Sequence, residues 1–159
     1  MSENNYIAVL KQGLSKKIDI LDTLIALNVQ QKEMLHNPEL DPDELEDNFK
    51  QKSELVDELN MLDDGFEQVY ERVRELLGKN REQYAEDIRM MQKSIAMIMD
   101  RSTKIQSQEQ RNKLLMEQKF STVRKQVKEV KQSRKAVSSY YQNMMKINYV
   151  DPQFMDDKK

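Results

Sequence analysis

The chain contains no cysteine and no tryptophan, and its 159 residues include only three glycines, three prolines and one histidine. The absence of cysteine excludes disulfides, thiolate metal sites and a thiol nucleophile. The few turn-forming residues, together with 34% charged residues, are typical of an all-helical, coiled-coil-like protein. No apolar run approaches the roughly 20 residues that span a bilayer, and residues 1–5 lack the features of a secretory signal. We therefore expect a cytoplasmic helical protein.

The motifs of common enzymes are also missing. A hydrolytic triad needs an imidazole to transfer a proton, and His36 is the only histidine. Glu33 and His36 form one Glu-x-x-His pair, but a di-iron site in a helical bundle needs a second such pair. There is no glycine-rich phosphate-binding loop and no His-Glu-x-x-His motif. The sequence predicts a protein that is not an enzyme and that uses no cofactor or metal.

Apolar residues recur three and four positions apart over most of the chain, which predicts three long helices. Their predicted bounds are about 3–36, 42–77 and 80–147. Asn37-Pro38 ends the first helix, Asp41 caps the second, and Gly78 follows its last turn. The predicted fold is all-α: three long antiparallel helices in which a hairpin packs on the third helix as a coiled-coil-like bundle. We expect residues 1–147 to form one domain and residues 148–159 to form a flexible tail.

The third predicted helix is too long for its partners. Its apolar stripe runs from Tyr84 to Met144, about 90 Å at helical rise. Ser102, Glu109 and Asn112 interrupt this stripe, and burial of a lone glutamate is costly. We therefore expect this region to be exposed, hydrated or bent, with the helix either continuous or bent there. Apolar residues from Leu114 to Met145 are expected to lack an intramolecular partner.

Charge is distributed unevenly along the chain. Residues 1–100 carry 12 Lys and Arg against 22 Asp and Glu, whereas residues 101–146 carry 12 against 3. The basic distal helix is consistent with a solvated face that complements the acidic hairpin or a second subunit, or with nucleic-acid binding. The second interpretation ranks lower because no nucleic-acid motif and no aromatic residue between Phe120 and Tyr140 accompanies the charge. A thin, valine-rich apolar side argues against membrane binding.

Several short stretches resemble the FlgN family of flagellar export chaperones. They are Gln30-Gln31-Lys32-Glu33-Met34-Leu35, Lys52-Ser53-Glu54-Leu55-Val56-Asp57-Glu58-Leu59, Glu109-x-x-Asn112 with Leu114-Leu115, Tyr140-Tyr141, and Phe154-Met155-Asp156-Asp157-Lys158-Lys159. The resemblance covers most of the chain. FliT, a related chaperone of similar helical build, is the second resemblance.

The FlgN resemblance implies a small cytoplasmic bacterial protein that binds the C-terminal helical segments of hook-filament junction proteins. Such a protein delivers its clients to the flagellar type III export gate, and it uses its own C-terminal helix in a helix-in-groove mode. The implied client-binding residues are Val123, Val127, Val130, Val137, Tyr141, Met144 and Met145. The implied contact with the export-gate protein is Tyr140 or Tyr141, although the chain lacks the Tyr-Gly step that follows this tyrosine in the family.

Two other functions remain open at the level of sequence. The first is a structural homodimeric coiled coil or adaptor, in which the distal helices of two chains pack together without a chaperone role. The second is nucleic-acid binding through the basic distal helix. Stable membrane insertion is not expected.

Overall fold

The computed structural model describes residues 3–122, 135–136, 138–141 and 143, and almost all of them are α-helical. Helix α1 spans Glu3–His36, α2 spans Pro42–Lys79 and α3 spans Ala85–Thr122. The described residues between 135 and 143 are also helical, and we call them the C-terminal segment. No strand occurs in the described part of the chain, so the predicted all-α bundle is confirmed.

The two connections show why the helices begin and end where they do. Asp41 caps α2 as predicted, because its side chain accepts a hydrogen bond from the Asp43 amide at 2.9 Å and Pro42 occupies the first turn. The prediction that Gly78 terminates α2 is wrong. No glycine in the described residues has a positive φ. The helix continues past Gly78 to Lys79, and Asn80 caps it by donating its backbone amide to the Leu76 carbonyl at 3.0 Å.

Helix α1 packs against α2 in antiparallel orientation. The contacts between them follow one register: Lys17 pairs with Asp63 at 2.5 Å, and Tyr6 near the start of α1 accepts a hydrogen bond from Arg72 near the end of α2 at 3.2 Å. Partner positions rise on one helix as they fall on the other, as the short turn between the helices requires.

Helix α1 also packs along the length of α3, and these two helices run parallel. Lys11 pairs with Asp87 at 2.9 Å, and Asp22 pairs with Arg101 at 2.8 Å, so partner positions rise together. Helix α2 runs antiparallel to α1 and ends near the start of α1. Helix α3 can therefore begin there and run parallel to α1 without a long connecting loop. Helix α1 is therefore the central element against which α2 and α3 are aligned.

The core consists of the apolar stripe of each helix. Its buried members include Ile7, Leu10, Leu14, Leu21, Leu24, Val56, Leu59, Val73, Met91, Ile95, Ile98, Ile105 and Met116. The alternating three- and four-residue spacing places these side chains on the faces where the helices meet. The predicted stripe of α3 is thus core at least as far as Met116.

The interrupted part of that stripe is not exposed. Ser102, Glu109 and Asn112 are at most 5% exposed, and α3 is one helix through all three. The expectation of an exposed or bent region is wrong. For Glu109 and Asn112 the reason is that α1 and α2 bring polar partners to the same level of the bundle, described below. The Ser102 hydroxyl is buried without a hydrogen-bond partner among the described residues.

The prediction of a single helix over residues 80–147 is also wrong. Helix α3 begins at Ala85 after a turn, and Tyr140 donates a hydrogen bond to Glu109 at 2.5 Å. A continuous helix would separate these two residues by about 46 Å. The C-terminal segment therefore lies beside the bundle. Contrary to the expectation that it lacks an intramolecular partner, Tyr140 is buried against the bundle.

Two neighbouring residues of α3 test the assignment of its faces. Ile98 is fully buried, whereas Met99 is 48% exposed. We expect Ile98→Ala to lower the free energy of unfolding by about 2–5 kcal/mol, because it leaves a cavity in the core. Met99→Ala is the control and should change it by less than about 0.5 kcal/mol. Urea unfolding followed by circular dichroism gives both values, and equal losses would contradict this assignment.

Candidate functional site

Seven polar side chains are buried where the three helices meet. We call them the polar layer: Asn28 and Gln31 from α1, Asn48 and Lys52 from α2, and Gln108, Glu109 and Asn112 from α3. Each occupies a position of the apolar stripe of its helix, so the spacing of the sequence directs them inward. Because buried polar groups are costly without partners, their hydrogen bonds decide whether this layer is tolerated.

Gln31 is at the centre of the layer. Its Nε2 donates to Asn48 Oδ1 at 2.9 Å, and its Oε1 accepts from Lys52 Nζ at 3.3 Å and from Asn112 Nδ2 at 3.1 Å. One side chain of α1 thereby connects to both α2 and α3. This arrangement fixes the positions of the three helices relative to one another along the bundle axis.

Other members of the layer bond to carbonyl groups of α1. Asn112 donates to the Asn28 carbonyl at 3.0 Å, Gln108 to the Ile25 carbonyl at 3.3 Å, and Asn48 to the Leu27 carbonyl at 3.0 Å. Carbonyl positions repeat along a helix at a fixed rise, so these bonds define the register between helices. Polar residues at core positions have this effect on register in coiled coils.

Lys52 and Glu109 form a buried ion pair between α2 and α3. Lys52 Nζ lies 2.8 Å from Glu109 Oε1, and the lysine side chain is 0% exposed. Burial lowers the pKa of Lys52, and the attraction and hydrogen bond of Glu109 oppose this shift. The second carboxylate oxygen, Glu109 Oε2, is buried without a hydrogen-bond partner among the described residues.

Tyr140 of the C-terminal segment covers this ion pair. Its hydroxyl donates to Glu109 Oε1, its ring centroid lies 4.2 Å from Lys52 Nζ, and its ring meets Phe49 edge-to-face at 5.8 Å. Tyr140 is 0% exposed. A cation over a desolvated aromatic ring and a phenol on a carboxylate are both favourable contacts.

Tyr141 lies at the edge of the same site. Its hydroxyl donates to the Glu109 carbonyl at 3.3 Å, and Lys113 Nζ lies 5.4 Å from its ring centroid. Burial raises the pKa of Tyr141 above its ordinary value, and the negative charge of Glu109 raises it further. Tyr141 remains half-buried, in contrast to Tyr140.

The structure thus brings together the two tyrosines that the FlgN resemblance indicates. Of the other residues implied by that resemblance, Val123, Val127, Val130, Val137, Met144 and Met145 lie outside the described residues.

Sequence reasoning missed Lys52 and the partners of Glu109. A signal was present, because Asn28 and Gln31 interrupt the stripe of α1 and Asn48 and Lys52 interrupt that of α2. Aligning the interruptions on the three helices would have suggested a shared polar layer.

Comparison with protein families agrees with the resemblance. The family model described as FlgN protein matches residues 1–146. The chain belongs to the FlgN family. This membership makes it a flagellar export chaperone in the general sense of that family. No curated protein and no solved structure matches the chain.

Two further findings concern the described part of this FlgN-family chain. No helix there is both long enough and apolar enough to cross a membrane. No group of three or more histidine, aspartate or glutamate side chains there is arranged to hold a metal ion.

The buried ion pair predicts non-additive stability changes. Lys52→Met leaves Glu109 buried without its counter-ion and should cost about 3–5 kcal/mol of unfolding free energy. Adding Glu109→Gln removes the stranded charge and keeps an acceptor for Tyr140, so the double variant should regain at least about 1 kcal/mol. Urea unfolding of both variants measures this coupling.

Lys11→Met is the matched control, because the Lys11–Asp87 pair is about one-third exposed and should contribute less than about 1 kcal/mol. Independent, additive losses for Lys52→Met and Glu109→Gln would contradict the coupling.

The raised pKa of Tyr141 predicts an alkaline loss of stability. Above pH 10.0, its ordinary pKa, Tyr141 ionises in the unfolded chain but stays protonated in the folded one. Its contribution is therefore fully present below that pH and falls as the pH rises. Between pH 8 and pH 11, Tyr141→Phe should lose about 1 kcal/mol less unfolding free energy than the wild type. Equal losses would show that Tyr141 ionises freely in the folded protein.

Proposed function

We propose that this protein binds the C-terminal helical segments of hook-filament junction proteins in the bacterial cytoplasm and delivers these clients to the flagellar type III export gate. The observation that carries the proposal is the FlgN family match, which extends over residues 1–146 and so includes the distal part of the chain as well as the bundle. The general chaperone role follows from the family. The client and the destination are the proposed refinement.

The proposed client-binding residues are Val123, Val127, Val130, Val137, Tyr141, Met144 and Met145. In the sequence, the valines and Met144 continue the spacing of three and four residues beyond Thr122, and Met145 adjoins it. A stripe of this spacing suits an amphipathic client helix, which binds through apolar residues three and four apart. Adjacent methionines at positions 144 and 145 favour such binding, because flexible thioethers adapt to more than one partner surface.

The proposed contact with the export-gate protein is through the tyrosine pair. Tyr141 is half-buried and offers part of its ring to a partner, whereas Tyr140 is buried on Phe49 and Lys52. Tyr141 is therefore the better placed of the two in this conformation. A contact through Tyr140 requires the C-terminal segment to move away from the bundle.

Methionine substitutions test the client-binding residues. The probe is a fluorescent synthetic peptide with the sequence of the C-terminal helix of a hook-filament junction protein, and binding is followed by fluorescence anisotropy. We expect Met144→Ala with Met145→Ala to weaken peptide binding roughly tenfold or more, because two buried thioethers are lost from the interface.

The matched control is Met90→Ala with Met99→Ala, since both methionines are about half exposed on α3. This control should change binding by less than about twofold, and circular dichroism should show both proteins folded. Failure of the wild type to bind the peptide, or equal weakening in both double variants, would refute the assignment.

A further inference from the structure

Three side chains of the bundle together hold one tyrosine of the C-terminal segment. We call Phe49, Lys52 and Glu109 the tyrosine seat, because all three contact Tyr140. The seat belongs to α2 and α3, whereas its occupant comes from the C-terminal segment, 31 positions beyond Glu109 in the chain. Receptor and occupant are therefore separate parts of the molecule.

The chemistry of the seat selects tyrosine over other side chains. Lys52 presents its cation to an aromatic face at 4.2 Å, and Glu109 accepts a hydrogen bond at the far end of that ring at 2.5 Å. Phenylalanine offers the face without the donor, and serine or threonine offers the donor without the face. Only tyrosine combines a six-membered ring with a terminal hydroxyl.

The internal occupant does not use the whole seat. Lys52 and Tyr140 both contact Oε1 of Glu109, and Oε2 is buried without a hydrogen-bond partner among the described residues. A buried carboxylate oxygen that lacks a donor carries a desolvation cost that a further hydrogen bond would remove. A different occupant with a second donor could therefore bind more tightly than the segment that is there.

We propose that the tyrosine seat is a docking site for an incoming helix, and that Tyr140 is its internal, exchangeable occupant. The fitting partner is an amphipathic helix that carries a tyrosine on its apolar face and, one turn away, a hydroxyl or amide donor that reaches Glu109 Oε2. The inference rests on the proposed function only where it takes this helix to be a client. In binding, the client helix displaces the C-terminal segment from the bundle.

Tethering explains why the internal occupant holds the seat when no partner is present. A segment of the same chain binds intramolecularly, at an effective concentration on the order of millimolar, so a free helix with the same contacts competes poorly. One added hydrogen bond to a charged acceptor raises affinity roughly tenfold or more, which offsets part of this disadvantage of the incoming helix. The unpaired Glu109 Oε2 is the atom at which an incoming helix can gain this extra hydrogen bond.

The test uses a fluorescent peptide with the sequence of residues 135–147 of this chain, added to the full-length protein. In the Tyr140→Ala protein the seat lacks its internal tyrosine, so the peptide should bind at least about tenfold more tightly than to the wild type. A peptide carrying Tyr140→Phe should bind that protein roughly tenfold more weakly, because the ring remains and the donor is lost.

The matched control is a peptide carrying Tyr141→Phe, which loses only the longer hydrogen bond to the Glu109 carbonyl and should stay within about threefold. If Tyr140→Ala reduces the helical circular dichroism signal, the full-length Tyr140→Phe protein is used in its place. We expect a smaller gain in peptide affinity for that variant, because its ring still occupies the seat. Equal binding of the peptide to wild type and variant, or equal binding of the unsubstituted and Tyr140→Phe peptides, overturns the proposal.

Two more measurements separate this inference from the proposed function. A client peptide that contains a tyrosine should displace the labelled 135–147 peptide. Failure to displace it excludes the client as occupant of the tyrosine seat. Client binding through Met144 and Met145 is tested by its own experiment.

Sedimentation of the wild type should show a monomer. If the wild type is instead a dimer that dissociates in the Tyr140→Ala protein, the tyrosine in the seat comes from a second copy of the chain. That result overturns the proposal of an internal occupant.

Discussion

Burial of Lys52 and Glu109 is the constraint on which the arrangement of the helices depends. Burying two opposite charges away from water costs least when they pair with each other and further hydrogen bonds reach them. Here the lysine comes from α2 and the glutamate from α3, and Gln31 of α1 also bonds to Lys52. Sliding any one helix by a turn would leave at least one of these groups without a partner. The polar layer therefore selects one register from the many that an apolar stripe allows.

The same ion pair determines where the C-terminal segment lies. The carboxylate of Glu109 accepts a hydrogen bond from the Tyr140 hydroxyl, and the Tyr140 ring lies over the Lys52 ammonium group. Polar and aromatic contacts of Tyr140 and Tyr141 thus hold the segment proposed to take part in client binding. Another helix that offers the same kinds of side chain can make contacts of this type.

The charge asymmetry also has a structural use within the described residues. Arg101 at the start of the basic region pairs with Asp22 of the acidic hairpin, Lys119 donates to the Asn37 carbonyl, and Lys113 lies over the Tyr141 ring. Part of the basic face therefore stabilises the bundle and the site at its edge. These contacts follow from the parallel pairing of α1 with α3, which places the basic end of α3 beside the end of α1.

The sequence by itself determined the fold class, the bounds of α1 and the capped start of α2, because helical periodicity and capping act over a few neighbouring residues. It also identified the family through Tyr140-Tyr141 and the other short stretches. Only the tertiary structure decided that Glu109 is buried, that α3 is not a single helix as far as residue 147, and that Tyr140 lies over Lys52. The cost of burying a charge depends on what other helices bring to the same level, and no spacing within one helix contains that information.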